Sequence, residues 1–223
     1  MLFHNPVVLA RRFTTLDVLS EGRVICGLGI GWSKDGYQAS NIPFEHKGDR
    51  ADEFIQLLKR IWTDDVVEFK GEFYNIPASR IGLKPIQKPH IPIFLGGFVP
   101  RTFRRITKYA DGWLPTVSGP LEFIESGIRS LKEQAIKENR NPDQIKTLTL
   151  VFPQVSGGKS NSGVARQQQQ QPQRFPFTGT IEEIGKDIKR IKEMGVEHII
   201  FAFVGLELDM IIDTAKQFGK FAR

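Results

Sequence analysis

Short runs that are apolar at nearly every position alternate along this chain with longer stretches that are apolar on one side only. The short runs are RVICGLGI (Arg23 to Ile30), IPIFLGG, DGWLP, TLTLVFP and HIIFAFVG. A strand with one face in water alternates apolar and polar residues, whereas a strand covered on both faces does not. Such runs, separated by amphipathic helices, predict a parallel sheet with helices packed against it. The helices are expected from Asn5-Pro6 to about Ser20, Asp49 to Trp62, over PRTFRRITKYA, Pro120 to Lys137, Thr180 to Met194 and Leu208 to Phe218. Asn5 before Pro6 has the form of an N-cap with proline in the first turn. Thr180 to Glu183 has that of a capping box, with Gly195 placed to end the helix. VVEFKGEFYNI alternates around Lys70-Gly71 and predicts a small surface hairpin.

The chain has 223 residues, 40% of them hydrophobic, enough for one sizeable core and most simply a single domain over 1–223. Its longest apolar runs are far shorter than the ~20 residues that span a bilayer. Residues 1–6 have no basic segment followed by an apolar one, so no secretory signal is read there. One cysteine, Cys26, permits no intrachain disulfide, and a reducing cytoplasm is expected. Cys26 itself reads as a small buried hydrophobe. The net charge of +6 lies mostly in mixed-sign helical segments. With no basic run interleaved with aromatics, neither nucleic acid nor a membrane is expected as partner. VSGGKSNSGVARQQQQQPQR interrupts the alternation, and a mobile loop is expected at about 155–176, its glutamines acting as a spacer.

In a parallel α/β fold the ligand lies beyond the C-terminal ends of the strands. Those ends here are Gly29 to Ser33, Gly96 to Val99, Pro115 to Val117, Pro153 to Ser156 and Val204 to Leu206. Gly27, Gly29 and Gly31 do not form a dinucleotide loop, because G-x-G-x-x-G would need glycine where Trp32 stands. They alternate instead along one strand face, opposite Cys26, Leu28 and Ile30. Ser33 to Tyr37 is a poor start for an amphipathic helix. Trp32 would either stack on a flat heterocycle or pack a loop at the rim. Asp35 would accept a hydrogen bond from a ligand or cap a local turn.

FLGGFVPRTFRR carries the strongest binding signal. Its helix starts at Pro100, so the N-cap falls on Val99, which offers no side-chain acceptor. The open N–H groups near Arg101 and Thr102 then turn to water or to an anion such as phosphate, which Gly96 and Gly97 let approach closely. Arg101, Arg104 and Arg105 raise the local positive potential. The four histidines lack metal-ligand spacing, and neither G-x-S-x-G nor a lysine-terminated phosphate loop is present. Parts that bind a cofactor, without a protein nucleophile, suit redox chemistry carried by that cofactor.

Five ordered segments, NPVVLARRFTTLDVLSEGRVICGLGIGW, FEHKGDRADEFIQLLKRIWT, FKGEFYNI, IPIFLGGFVPRTFRRITKYADGWLP and FTGTIEEIGKDIKRIKEMGVEHIIFAF, resemble the luciferase-like monooxygenase superfamily, and within it the F420-dependent (deazaflavin) oxidoreductases. The resemblance implies a TIM-type (β/α)8 barrel that binds F420, or FMN in sister groups. The chemistry implied is hydride transfer between F420 and a small organic substrate, or oxygen insertion with FMN. It implies cofactor contacts at Ile30, Gly31, Trp32 and Asp35, and a phosphate-bearing tail held by Gly96, Gly97, Val99, Pro100 and Thr102. Thr116 would face the substrate. Members carry about three further βα units before the helix that starts at Asn5. The expectation is therefore an incomplete barrel of about five core parallel strands, the family's fourth to eighth, plus the hairpin. Unpaired strand edges predict a homo-oligomer, a dimer in the simplest case. A non-catalytic remnant that binds a cofactor or assists assembly is the alternative reading, and an unrelated doubly wound α/β protein is another.

Overall fold

A computed structural model describes residues 1–155 and 174–221. The chain divides into two compact units, Met1–Gly112 and Trp113–Arg223. Among the described residues, no helix is long and apolar enough to cross a membrane. The segment expected to be a mobile loop lies, from 156 to 173, outside the described residues.

The first unit opens with helix α1 (Pro6–Leu19), whose N-cap Asn5 accepts hydrogen bonds from the Val7 and Val8 amides. Strand β1 (Cys26–Leu28) follows, then a short helix α2 (Lys34–Ala39) and the long helix α3 (Lys47–Thr63). Helix α3 buries Phe54, Ile55, Leu57, Leu58, Ile61 and Trp62, an apolar stripe at helical spacing. The Trp62 indole donates to the Ala10 carbonyl at 3.1 Å, which locks α3 onto α1. Strands β2 (Val67–Lys70) and β3 (Asn75–Ser79) form the expected antiparallel hairpin. Its connection takes four residues rather than two. The Glu53 carboxylate of α3 accepts from the amides of Glu72, Phe73 and Tyr74 and so satisfies that loop from outside.

Strand β4 (Ile93–Leu95) is buried throughout and pairs in parallel with β1, Cys26 opposite Ile93 and Leu28 opposite Leu95. Helix α4 (Pro100–Tyr109) follows it. The strand expected over Arg23 to Ile30 is thus three residues long. The ladder begins at Cys26, whose amide donates to the Pro92 carbonyl, and ends at Leu28, beyond which Gly97 (φ +122°) and Gly31 (φ +81°) turn the two chains out of the extended conformation. Within it the alternation holds: Cys26 and Leu28 are buried, Gly27 and Gly29 exposed. Burial pushes the Cys26 thiol up from 9.0 to about 12, so it stays neutral and behaves as a hydrophobe. Helix α2 was not expected. It is held by the Ser33 hydroxyl, which accepts from the Gly36 amide, and by the buried Tyr37 ring, edge-on to Phe3 and Phe44. These are capping and aromatic contacts that an apolar periodicity does not reveal.

Strand β5 (Gly112–Trp113) stands where the first unit ends. In the second unit, helix α5 (Glu122–Lys137) packs its Gly127 against the Trp113 ring, a contact that leaves no room for a Cβ. Strand β6 (Lys146–Val151) pairs in parallel with the last strand, Leu148 opposite His198 and Val151 opposite Phe201. Between them, the two-residue strands β7 (Gln154–Val155) and β8 (Thr178–Gly179) pair with each other, and helix α6 (Ile181–Glu193) carries the expected capping box of Thr180 and Glu183. Buried Asp187 binds the Arg174 guanidinium at 2.6 and 2.9 Å and the Phe177 amide at 2.7 Å, and so pins the chain entering α6. The last strand, β9 (His198–Phe201), leads to α7 (Leu208–Phe218), where Phe201, Phe203 and Phe218 stack together.

Candidate functional site

The ends of β1 and β4 fix the geometry of the candidate site in the first unit. Because the two strands are parallel and in register at Leu28 and Leu95, both chains leave the ladder at the same end. The Gly96 amide extends the pairing by one bond, to the Leu28 carbonyl at 3.0 Å. The loops Ile30 to Asp35 and Gly96 to Thr102 therefore start side by side, as the sequence predicts for a parallel sheet.

In the first loop, the Tyr37 hydroxyl donates to the Ile30 carbonyl and the Lys47 ammonium to that of Gly31, the latter at 3.0 Å. Burial raises the Tyr37 phenol above its ordinary pKa, against a smaller opposing effect of Arg50, which keeps it protonated as a donor. Lys47 also lies 3.9 Å from the centre of the Phe44 ring. The Ile30–Gly31 turn is thus tied down by two side chains that sequence reasoning did not single out. Neither belongs to a recognisable motif, and each becomes visible only once α2 and α3 are placed. Trp32 is 88% exposed. Asp35 lies exposed in the first turn of α2, and the capping role considered for it belongs to Ser33.

In the second loop, Val99 is the N-cap of α4 and makes no side-chain cap hydrogen bond, with Pro100 in the first turn, as expected. The Thr102 amide, expected to be open, is not: it donates to the Val99 carbonyl at 2.8 Å, because the first turn of α4 closes on its own cap residue. Gly97 has a φ of +122°, and a Cβ there would lie 2.9 Å from Oγ1 of buried Thr102. Both its dihedral and its closeness to α4 demand glycine. The three arginines separate in role. Arg105 is buried, bound to the Asp52 carboxylate and, at 2.9 Å, to the Gly48 carbonyl, while Arg101 and Arg104 remain exposed. Thr116 belongs to the second unit. It forms an isolated parallel bridge to Leu150, next to Pro115, whose carbonyl accepts from the Leu150 amide at 2.9 Å and the Thr149 hydroxyl at 3.1 Å. This half-buried position ends the strand that starts at β5.

Comparison with known proteins places this arrangement in a family. The luciferase-like monooxygenase model matches residues 1–198, and the chain belongs to that family. It is 32% identical over 134 residues to the FMNH2-dependent dimethylsulfone monooxygenase of Pseudomonas putida, covering 59% of this chain and 37% of the relative. It is 30% identical over 146 residues to the F420-dependent glucose-6-phosphate dehydrogenase of Amycolatopsis mediterranei, covering 64% and 43%. The chain spans 37% to 52% of the length of such curated relatives. Among solved structures, an F420-dependent secondary alcohol dehydrogenase in complex with an F420-acetone adduct matches with a TM-score of 0.79 at 18% identity, over 99% of this chain and 76% of that one. The coenzyme F420-dependent tetrahydromethanopterin reductase of Methanopyrus kandleri matches at 0.75 and 17%, over 96% and 78%. The fold is therefore the expected incomplete TIM-type barrel.

The backbone at Gly97 gives a direct test of the second loop. Gly97→Ala should lower stability by about 1–3 kcal/mol through its positive φ and the crowding of Thr102. Gly82→Ala, whose added Cβ would meet nothing within 4 Å, serves as the control. Urea unfolding reads both, and equal stabilities for the two variants would contradict the assigned conformation.

Proposed function

We propose that the chain is the cofactor-binding part of a flavin- or deazaflavin-dependent oxidoreductase that transfers hydride between F420 and a small organic substrate. The observation that carries this reading is the β4–α4 turn. There, a strand ends in Gly96-Gly97, and a helix begins without a side-chain cap beside the loop that leaves β1. Gly96, Gly97, Val99, Pro100 and Thr102 would surround the phosphate of the cofactor, Val99 with its amide and the others by leaving room at the positive end of α4, because the Gly96 amide is given to the Leu28 carbonyl, the Thr102 amide to the Val99 carbonyl, and Pro100 has none. Ile30, Gly31, Trp32 and Asp35 would line the remainder, with the exposed Trp32 ring offering a stacking face. Thr116 takes the substrate-facing role that the family resemblance gives it. A bound deazaflavin would supply hydride transfer, and FMN would supply oxygen insertion. Relatives using each are known, which supports a flavin-type ligand in general. The single cysteine, neutral and buried, suits a reducing cytoplasmic setting.

Absorbance and fluorescence titration with F420 and with FMN tests the reading. Saturable binding of F420 at micromolar levels, weaker for FMN, is expected. Preference for FMN would move the chain to the monooxygenase chemistry, and binding of neither would contradict the proposal.

A homo-dimer belongs to the same proposal. Leu19 (74%), Leu83 (67%) and Leu208 (69%) are exposed apolar side chains that a second copy would cover. Light scattering should return twice the 25.3 kDa chain mass. A monodisperse monomer would refute it.

A further inference from the structure

Bordering the loops just described at Arg101 and Lys47, the first unit holds a cleft of about 500 Å³ between the start of α3 and the outer face of α4. Its walls are dominated by cations. Arg101, Arg104, Arg105 and Lys108 fall at helical spacing on one face of α4, and Lys47 faces them from α3. Two carboxylates also line it: Asp52, bound to Arg105, and the exposed Asp49, 3.5 Å from His46 in a contact that is an ion pair only when His46 is protonated.

Arg105 builds the floor. Only 8% of its side chain is exposed, and by gripping Asp52 and the Gly48 carbonyl it joins the first turns of α3 to the middle of α4. Arg101 and Arg104 have no ion-pair partner among the described residues, so the cations of the cleft outnumber its carboxylates. The Lys108 ammonium lies 5.1 Å from the centre of the Tyr109 ring, at the far end. The first turn of α3 adds to the same field. Its N-cap, His46, has a left-handed φ of 52° and provides no side-chain cap.

We propose that this cleft binds a small linear polyanion, one with several closely spaced phosphate or carboxylate groups. At about 1.5 Å of rise per residue, Arg101, Arg104 and Lys108 extend over roughly 10 Å of helix. One phosphate cannot reach all three, whereas a chain of two or three anionic groups can. The cations are mostly exposed, so each contact is weak and screened by salt. Affinity has to come from several contacts made together. The site uses neither Gly96, Gly97 nor Gly31, and its cations beyond the loop border, Arg104 and Lys108, are available whether or not a flavin binds there.

Isothermal titration of the full chain at low salt, with tripolyphosphate as probe and no flavin present, tests the proposal. Tripolyphosphate should bind saturably and about tenfold more tightly than orthophosphate. Arg104→Glu and Lys108→Glu should each weaken it by about tenfold, while Arg11→Glu, an exposed charge of α1 outside the cleft, should leave it unchanged. Circular dichroism checks folding, and Arg104→Gln gives a milder variant that should weaken binding in the same direction. Absence of saturable binding, or equal losses with Arg11→Glu, would overturn the proposal.

Discussion

The three-residue parallel ladder between β1 and β4 is the constraint on which the first unit depends. Its register sets Leu28 against Leu95, and the bond from the Gly96 amide to the Leu28 carbonyl carries the pairing to the last possible residue. Beyond it both chains must turn at once, and both do so through glycines of positive φ, Gly31 and Gly97. Side-chain ligands would have needed a conserved rotamer at each position. Two adjacent turns of bare backbone instead offer amide groups and space, which suits a phosphate better than a metal.

A second constraint is electrostatic. On α4 one arginine, Arg105, is buried in a structural contact, while Arg101 and Arg104 face the solvent. Arg105 is desolvated, and the Asp52 carboxylate and Gly48 carbonyl offset that cost. Arg101 and Arg104 on the same face stay exposed and make no ion pair among the described residues. Buried Arg105 and the exposed Arg101 and Arg104 thus coexist on one helix face, and the α3–α4 packing is what separates them.

Much of this was legible in the sequence, and the exceptions have physical causes. Helices α1, α3, α4, α5, α6 and α7 follow from apolar spacing and from caps such as Asn5 and Thr180, and the five strands from their uniformly apolar runs. The strand around Cys26 is shorter than its hydrophobic run, because glycines of positive φ, Gly31 and Gly97, turn both chains away just beyond its end, and hydropathy does not encode φ. Helix α2 escaped because it is short and held by the Ser33 cap and by Tyr37 set between Phe44, seven residues on, and Phe3 at the other end of α1, contacts that leave no apolar periodicity. The uncapped start of α4 at Val99 was readable, since it follows from residue type alone. The ties from Lys47 and Tyr37 to the Gly31 turn were not, since each requires knowing where α2 and α3 pack.

The central claim is that the turn after β4 receives the phosphate of a flavin-type cofactor, and amide NMR of the labelled chain tests it most directly. On addition of FMN, the Gly97 and Thr102 resonances should shift together with that of Gly31, and riboflavin, which lacks the phosphate, should leave Gly97 and Thr102 in place. Shifts confined to other residues, or the same response of Gly97 and Thr102 to riboflavin, would contradict the account.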